Sequence, residues 1–170
     1  MRRAAAVLIL AAAGAIAAPR REIPFDLPRG WSAAEQKQTP TAAAPPEDVT
    51  YELVPPAGSP LRGQLVIYSG RVAEPEWEQA ATLRHQARVK NRVAWGVKAE
   101  SGPPREPLKL GARRAVRWRD RVGGALGGEQ LMTCAVAGGR LACVISVGPE
   151  ESHDAAAALA DTVLGSLKKN

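Results

Sequence analysis

Apolar and polar positions along the 170-residue chain repeat with two periods, and each predicts its own elements. Gln64-Leu65-Val66-Ile67-Tyr68 is apolar at both alternating sets of positions, the pattern of a central strand covered on two faces. Val49–Val54 reads as a shorter strand, stopped by Pro55-Pro56. Between Pro75 and Lys90 the spacing turns helical, with Trp77, Ala80, Leu83 and Ala87 as the expected buried stripe. Pro75 suits the first turn of that helix. Glu76 and Glu78 suit its positive end, and Arg84, Arg88 and Lys90 its negative one. This phase puts His85 on the solvated side. Val93–Ala99 reads as a further strand and Ser101–Glu106 as a loop.

From Ala112 to Val122 the chain alternates again. Val116, Trp118 and Val122 point one way; Arg113, Arg117, Arg119 and Arg121 point the other. Gly123–Gly128 then connects to a hairpin of Glu129–Ala137 and Arg140–Val147. In its second strand Val144 and Ser146 face one side, and Leu141, Ile145 and Val147 the other. A last helix begins near Pro149. Ala156, Leu159, Ala160, Val163, Leu164 and Leu167 form its apolar face, and Lys168-Lys169 close it. Upstream, Ile23–Trp31 reads as an extended entry strand ending in a turn, with Phe25 and Trp31 as candidate core anchors. Glu35–Asp48, polar and proline-containing, reads as a loop. Two amphipathic helices and antiparallel strands apolar on both faces imply an α+β fold, an α/β/α sandwich in one domain over residues 18–170. With one Phe, two Tyr and four Trp, its core rests on aliphatic residues and Trp.

The first residues read as an address rather than as part of the fold. Arg2-Arg3 precede an apolar run from Ala4 to Ala18, and Ala15-Ile16-Ala17 supplies a small-x-small cleavage pattern. This reads as a Sec-type signal peptide over residues 1–17, with an uncleaved membrane anchor as the alternative that the short apolar run disfavours. It implies a secreted or periplasmic protein with no transmembrane span after cleavage. Export permits a disulfide. Gly138-Gly139 is a two-residue turn signal, since both positions accept positive φ. Counting outward from it, Cys134 faces Cys143 at a non-hydrogen-bonded pair, where the Cα atoms approach most closely. A cross-strand disulfide is expected, with two free buried thiols as the alternative. A redox-active pair fits less well, because the spacing is not Cys-x-x-Cys.

Catalytic and ligand-binding signals are sparse. The only histidines are His85 and His153. Ser152-His153-Asp154 has the composition of a triad, but three consecutive residues at a helix start diverge. The spacing of His, Cys and acids marks no metal site, and no cofactor is implied. Gly123–Gly128 lacks the Gly-Lys-Ser/Thr ending of a phosphate loop.

Charge is more informative. Residues 84–121 hold twelve basic residues against three acids, a local charge of +9 within a chain of +6. The leader carries +2, so the rest of the mature chain stands at −5. The row Arg113, Arg117, Arg119, Arg121 would project from one strand face. It is either a solvated edge protected against aggregation or an anion-binding surface. Export demotes nucleic acid as the partner in favour of anionic lipid headgroups, envelope polymers or an acidic protein.

Phe25-Asp26-Leu27-Pro28-Arg29-Gly30-Trp31 at the mature start is followed by a strand pair, the helix Pro75–Lys90 and a strand. Then come Gly111-Ala112-Arg113-Arg114-Ala115-Val116, two more strands and a helix ending Leu164-Gly165-Ser166-Leu167. In these features and their order the chain resembles the PsbP-like superfamily, which includes exported bacterial proteins of unknown function. The resemblance implies a PsbP-like α/β/α sandwich and a non-catalytic, interaction-type role. The 35–48 insert and the disulfide hairpin do not map onto that family. Taken together, an exported non-enzymatic binding or accessory protein is expected. A secreted hydrolase and a purely structural envelope or secretion component are the other readings.

Overall fold

In the computed structural model, residues 24–36, 48–94, 99–101, 105–123 and 128–168 are described, with backbone alone at 92–94 and 99–101. The expected leader and most of the 35–48 loop lie outside them. Eight strands form one sheet: β1 (Ser32–Gln36), β2 (Val49–Val54), β3 (Arg62–Arg71), β4 (Ala99–Ser101), β5 (Glu106–Leu110), β6 (Arg113–Val122), β7 (Gly128–Ala137) and β8 (Arg140–Gly148). The helices are α1 (Trp77–Ala94) and α2 (His153–Ser166), the second entered through a 3-10 turn at Glu150–Ser152. Every pairing is antiparallel, in the order β1-β2-β3-β8-β7-β6-β4. β5 also lies on β6, ahead of β4 along the same edge.

Each sheet face has its own core, as the doubly apolar central strands require. On one face α2 lays Leu159, Ala160, Val163 and Leu164 against Leu53, Leu65, Ala135 and Val144. On the other, α1 lays Trp77 and Ala81 against Val116, Trp118, Met132 and Ile145. This is the expected α/β/α sandwich. Phe25 closes the α2 side by an edge-on contact with Tyr51, ring centroids 5.2 Å apart. Lys168 N donates to Pro24 O at 2.8 Å, tying the segment before β1 to the end of α2.

The hairpin follows its turn chemistry. Gly138 and Gly139 have φ of 59° and 76°, and Cys134 faces Cys143 in the β7–β8 register. The two are joined in a disulfide, with Cα atoms 4.1 Å apart, and both are fully buried in the α1-side core.

Four expectations change. Residues 24–31 carry Phe25 inward without forming a strand, and the first strand starts at Ser32. Residues 93 and 94 extend α1 rather than beginning a strand. Glu106 opens a strand, β5, where a loop was expected to end. The buried face of α1 is also rotated: Trp77, Ala81 and His85 point inward while Leu83 is 57% exposed. The cause is a polar partner across the layer, described next.

Candidate functional site

Strand β6 carries the predicted site, and its two faces meet different partners. On the α2 side, the arginine row reaches neighbours within the fold. Arg113 donates to the carbonyl oxygens of Leu164 and, at 2.6 Å, Leu167. It thereby satisfies carbonyls left over at the end of α2 and places a cation where that end is negative. Arg117 donates to Thr133 Oγ1 at 2.9 Å and to Asp161 at 2.5 Å. Arg119 donates to Glu129 and, at 3.2 Å, to Glu150. His153, at the start of α2, meets the other Glu129 oxygen at 2.5 Å, so its partner is a strand carboxylate and neither Ser152 nor Asp154. Arg121 is exposed and lies opposite Glu129 in register. Carboxylates thus engage Arg117 and Arg119, while the partners of Arg113 among the described residues are carbonyl oxygens.

On the α1 side, the inward residue of the same strand is an acid. Asp120 is 1% exposed, and its carboxylate oxygens sit 2.8 and 3.1 Å from His85 Nε2. Facing a carboxylate, Nε2 is the donor. Gln130, fully buried on β7, donates from Nε2 to Asp120 at 3.0 Å and accepts from Arg88 Nε at 3.3 Å. With its amide oxygen turned toward Arg88, Gln64 accepts two further bonds at 3.0 Å. His85 also stacks on Trp118, with centroids 4.8 Å apart and planes 9° from parallel. His85 is therefore not a solvated surface group. A buried donor is tolerated where it is paired, and here pairing decides which side of α1 turns inward. Arg84 packs over the Tyr68 ring at 4.4 Å. Arg84 and Arg88 lie on the α1 face and do not join the row.

The turn end of the sheet gathers basic residues in a way that the linear pattern conceals. Arg71 stands opposite Arg140 in the β3–β8 register, and Lys109 opposite Arg114 in β5–β6. Neither Arg71 nor Arg140 has a side-chain partner among the described residues. Arg114 is shared with Glu78 at 2.5 Å and Glu74 at 3.7 Å. Between the β7–β8 turn, the start of α1 and the end of α2 lies a cleft of about 520 Å³. Its walls include Trp77, Leu110, Arg113, Arg114, Val136 and Gly165. Arg114 lies 5.6 Å above the Trp77 ring. The Trp77 indole N–H is buried without an acceptor among the described residues, a deficit of about 1–3 kcal/mol for a buried donor.

No group of three or more His, Cys, Asp or Glu among the described residues is arranged to hold a metal. Among them, no helix is long and apolar enough to cross a membrane. A carboxylate-lined cleft between the proline-rich loop and the sheet, which would favour the hydrolase reading, would involve residues 37–47, outside the described ones.

No family model matches the sequence, and no curated protein matches it. Among solved structures, the chain is similar to the solution structure of cyanobacterial PsbP (CyanoP) from Synechocystis sp. PCC 6803. The TM-score is 0.54 at 18% identity, over 84% of this chain and 83% of that one. The likeness is one of fold.

Proposed function

From a PsbP-like fold, we propose that the protein is an exported, non-enzymatic binding or accessory protein whose partner is anionic. The contact surface in this reading is the turn end of the sheet rather than the whole arginine row. Export is supported by the leader pattern and by a disulfide, which reducing compartments do not maintain. One observation carries the surface: two like-charged cross-strand pairs lie at one end of the sheet, Arg71/Arg140 on its α2 face and Lys109/Arg114, the latter partly balanced by Glu74 and Glu78, on its α1 face. Like charges directly opposite each other oppose folding, and an anion bound between them removes the repulsion. Arg113, held by the carbonyl oxygens at the end of α2, adds a further cation at this end. Guanidinium forks suit carboxylate and phosphate alike.

The test is sedimentation of the mature protein with phosphatidylglycerol vesicles and with a sulfated polysaccharide, at low and raised salt. Arg71→Ser/Arg140→Ser is expected to weaken binding several-fold, and salt to do the same. Arg117→Ser/Arg119→Ser, which removes equal charge from the paired part of the row, is expected to bind nearly as the parent does. Equal losses in both variants would return the contact to the row.

A further inference from the structure

We infer that the cleft at the turn end is a recognition pocket for a carboxylate carried next to an apolar group. The inference rests on reading this end as the binding surface, and it adds the ligand's chemistry. Two of the walls, Arg113 and Arg114, are cations already held in place: one by the terminal carbonyls of α2, the other by Glu78 and the Trp77 face. A guanidinium has five donors, and the bonds described for each leave others for an incoming acid. Trp77, Leu110 and Val136 form an apolar lining beside them. The volume, about 520 Å³, falls among those of small-ligand pockets. The second observation is independent of charge: Trp77 is 1% exposed, lines the cleft, and its indole N–H lacks an acceptor among the described residues. In this reading a carboxylate oxygen held in the cleft supplies one, reaching an N–H that is otherwise shielded from solvent. Glu74 at the rim disfavours a bare polyanion there. The cleft thus selects a single acid with an apolar neighbour, such as the C-terminal residue of a chain or a free aliphatic acid.

Gly165 makes the test clean. It lies in the last turn of α2, is exposed, and a Cβ there would meet nothing within 4 Å. Leu at this position fills the cleft without altering charge, and it replaces a poor helix former by a good one. The mature protein is titrated with an alanine-rich tetrapeptide ending in a free leucine carboxylate, with its C-terminal amide, and with 4-methylpentanoate. Binding is read by calorimetry and by the indole N–H resonance assigned through Trp77→Phe. The acid peptide is expected to bind and to shift the Trp77 resonance. The amide is expected to bind at least about tenfold more weakly, the effect of one lost charge-assisted hydrogen bond, and the acid peptide on Gly165→Leu to lose at least as much because the added side chain occupies its place. Peptide binding about tenfold tighter than 4-methylpentanoate identifies a chain end as the ligand; equal binding identifies a free acid. An amide that binds equally, or a Gly165→Leu protein that binds unchanged, overturns the pocket. If Gly165→Leu loses the peptide yet still binds polysaccharide, both readings stand. Peptide binding without any polysaccharide or vesicle binding removes the broader surface and leaves the pocket.

Discussion

The two faces of one sheet are held to their helices by different forces. The α2 face is mainly apolar, with Leu159, Val163 and Leu164 on Leu53, Leu65 and Val144, and Arg113, Arg117 and Arg119 stand toward its margin. The α1 face buries two Trp and a disulfide, and it keeps the ionisable pair His85–Asp120 beneath the helix. α2 is amphipathic enough to dock by area alone, at roughly 25 cal/mol per Å² of apolar surface. α1 offers few aliphatic side chains, so its orientation depends on hydrogen bonds with geometry of their own. The lesson concerns charge: on this fold a basic side chain matters less by its place in a row than by what lies across from it.

The contrast is open to attack at four points, in descending size of effect. Asp120→Ala orphans both His85 and Gln130 in a buried layer. It is expected to cost about 3–5 kcal/mol, as breaking a buried pair does, with Asp120→Asn costing less. Leu159→Ala, at about 3 kcal/mol, is the matching loss on the α2 face. Urea denaturation followed by fluorescence measures both, and a near-neutral Asp120→Ala would show that α1 docks without its network. Second, Cys134→Ala/Cys143→Ala is expected to lower stability by about 2–3 kcal/mol, the chain-entropy value for so short a loop. Being fully buried, the bridge should resist reductant in the folded protein, which mass-detected thiol labelling checks. Third, Arg117→Ala, whose partner Asp161 is exposed, is expected to cost about 1 kcal/mol or less. A loss as large as that of Leu159→Ala would make the row part of the core. The smallest effect is alkaline. Burial raises the Tyr68 phenol above its usual 10.0, against the lowering pull of Arg84 and Arg88. The unfolded chain therefore releases this proton first. Tyr68 contributes stability that is present below pH 10.0 and lost as pH rises through the folded value. Phenolate absorbance should show one tyrosine titrating late, and Tyr68→Phe should remove that component.

The same contrast separates what the sequence discloses from what it hides. The α2 stripe was legible residue by residue, because Ala156, Leu159, Ala160, Val163, Leu164 and Leu167 are all apolar and all buried. The disulfide register was legible because two glycines fix a turn and a turn fixes a register. The α1 face was not. Its inward residues include His85, whose burial depends on Asp120, 35 residues away, and on Gln130 beyond it. Strands β1 and β5 were hidden for a related reason. SAAEQ and EPLKL have little strand character of their own and become strands by pairing with β2 and β6. In the arginine row the direction of each side chain was readable from alternation, but the acids and carbonyls that engage it come from β7 and α2. The basic end was missed because it is assembled from cross-strand neighbours, Arg71 with Arg140 and Lys109 with Arg114, which lie far apart or unremarked along the chain.

The most direct test of the account is a backbone amide NMR titration of the mature protein with the sulfated polysaccharide at low salt. The prediction is that shifts concentrate at the turn end, around Arg71, Lys109–Arg114 and Gly138–Arg140. Shifts concentrated instead around Arg119–Arg121, Glu129 and His153, at the opposite end of β6, would contradict it.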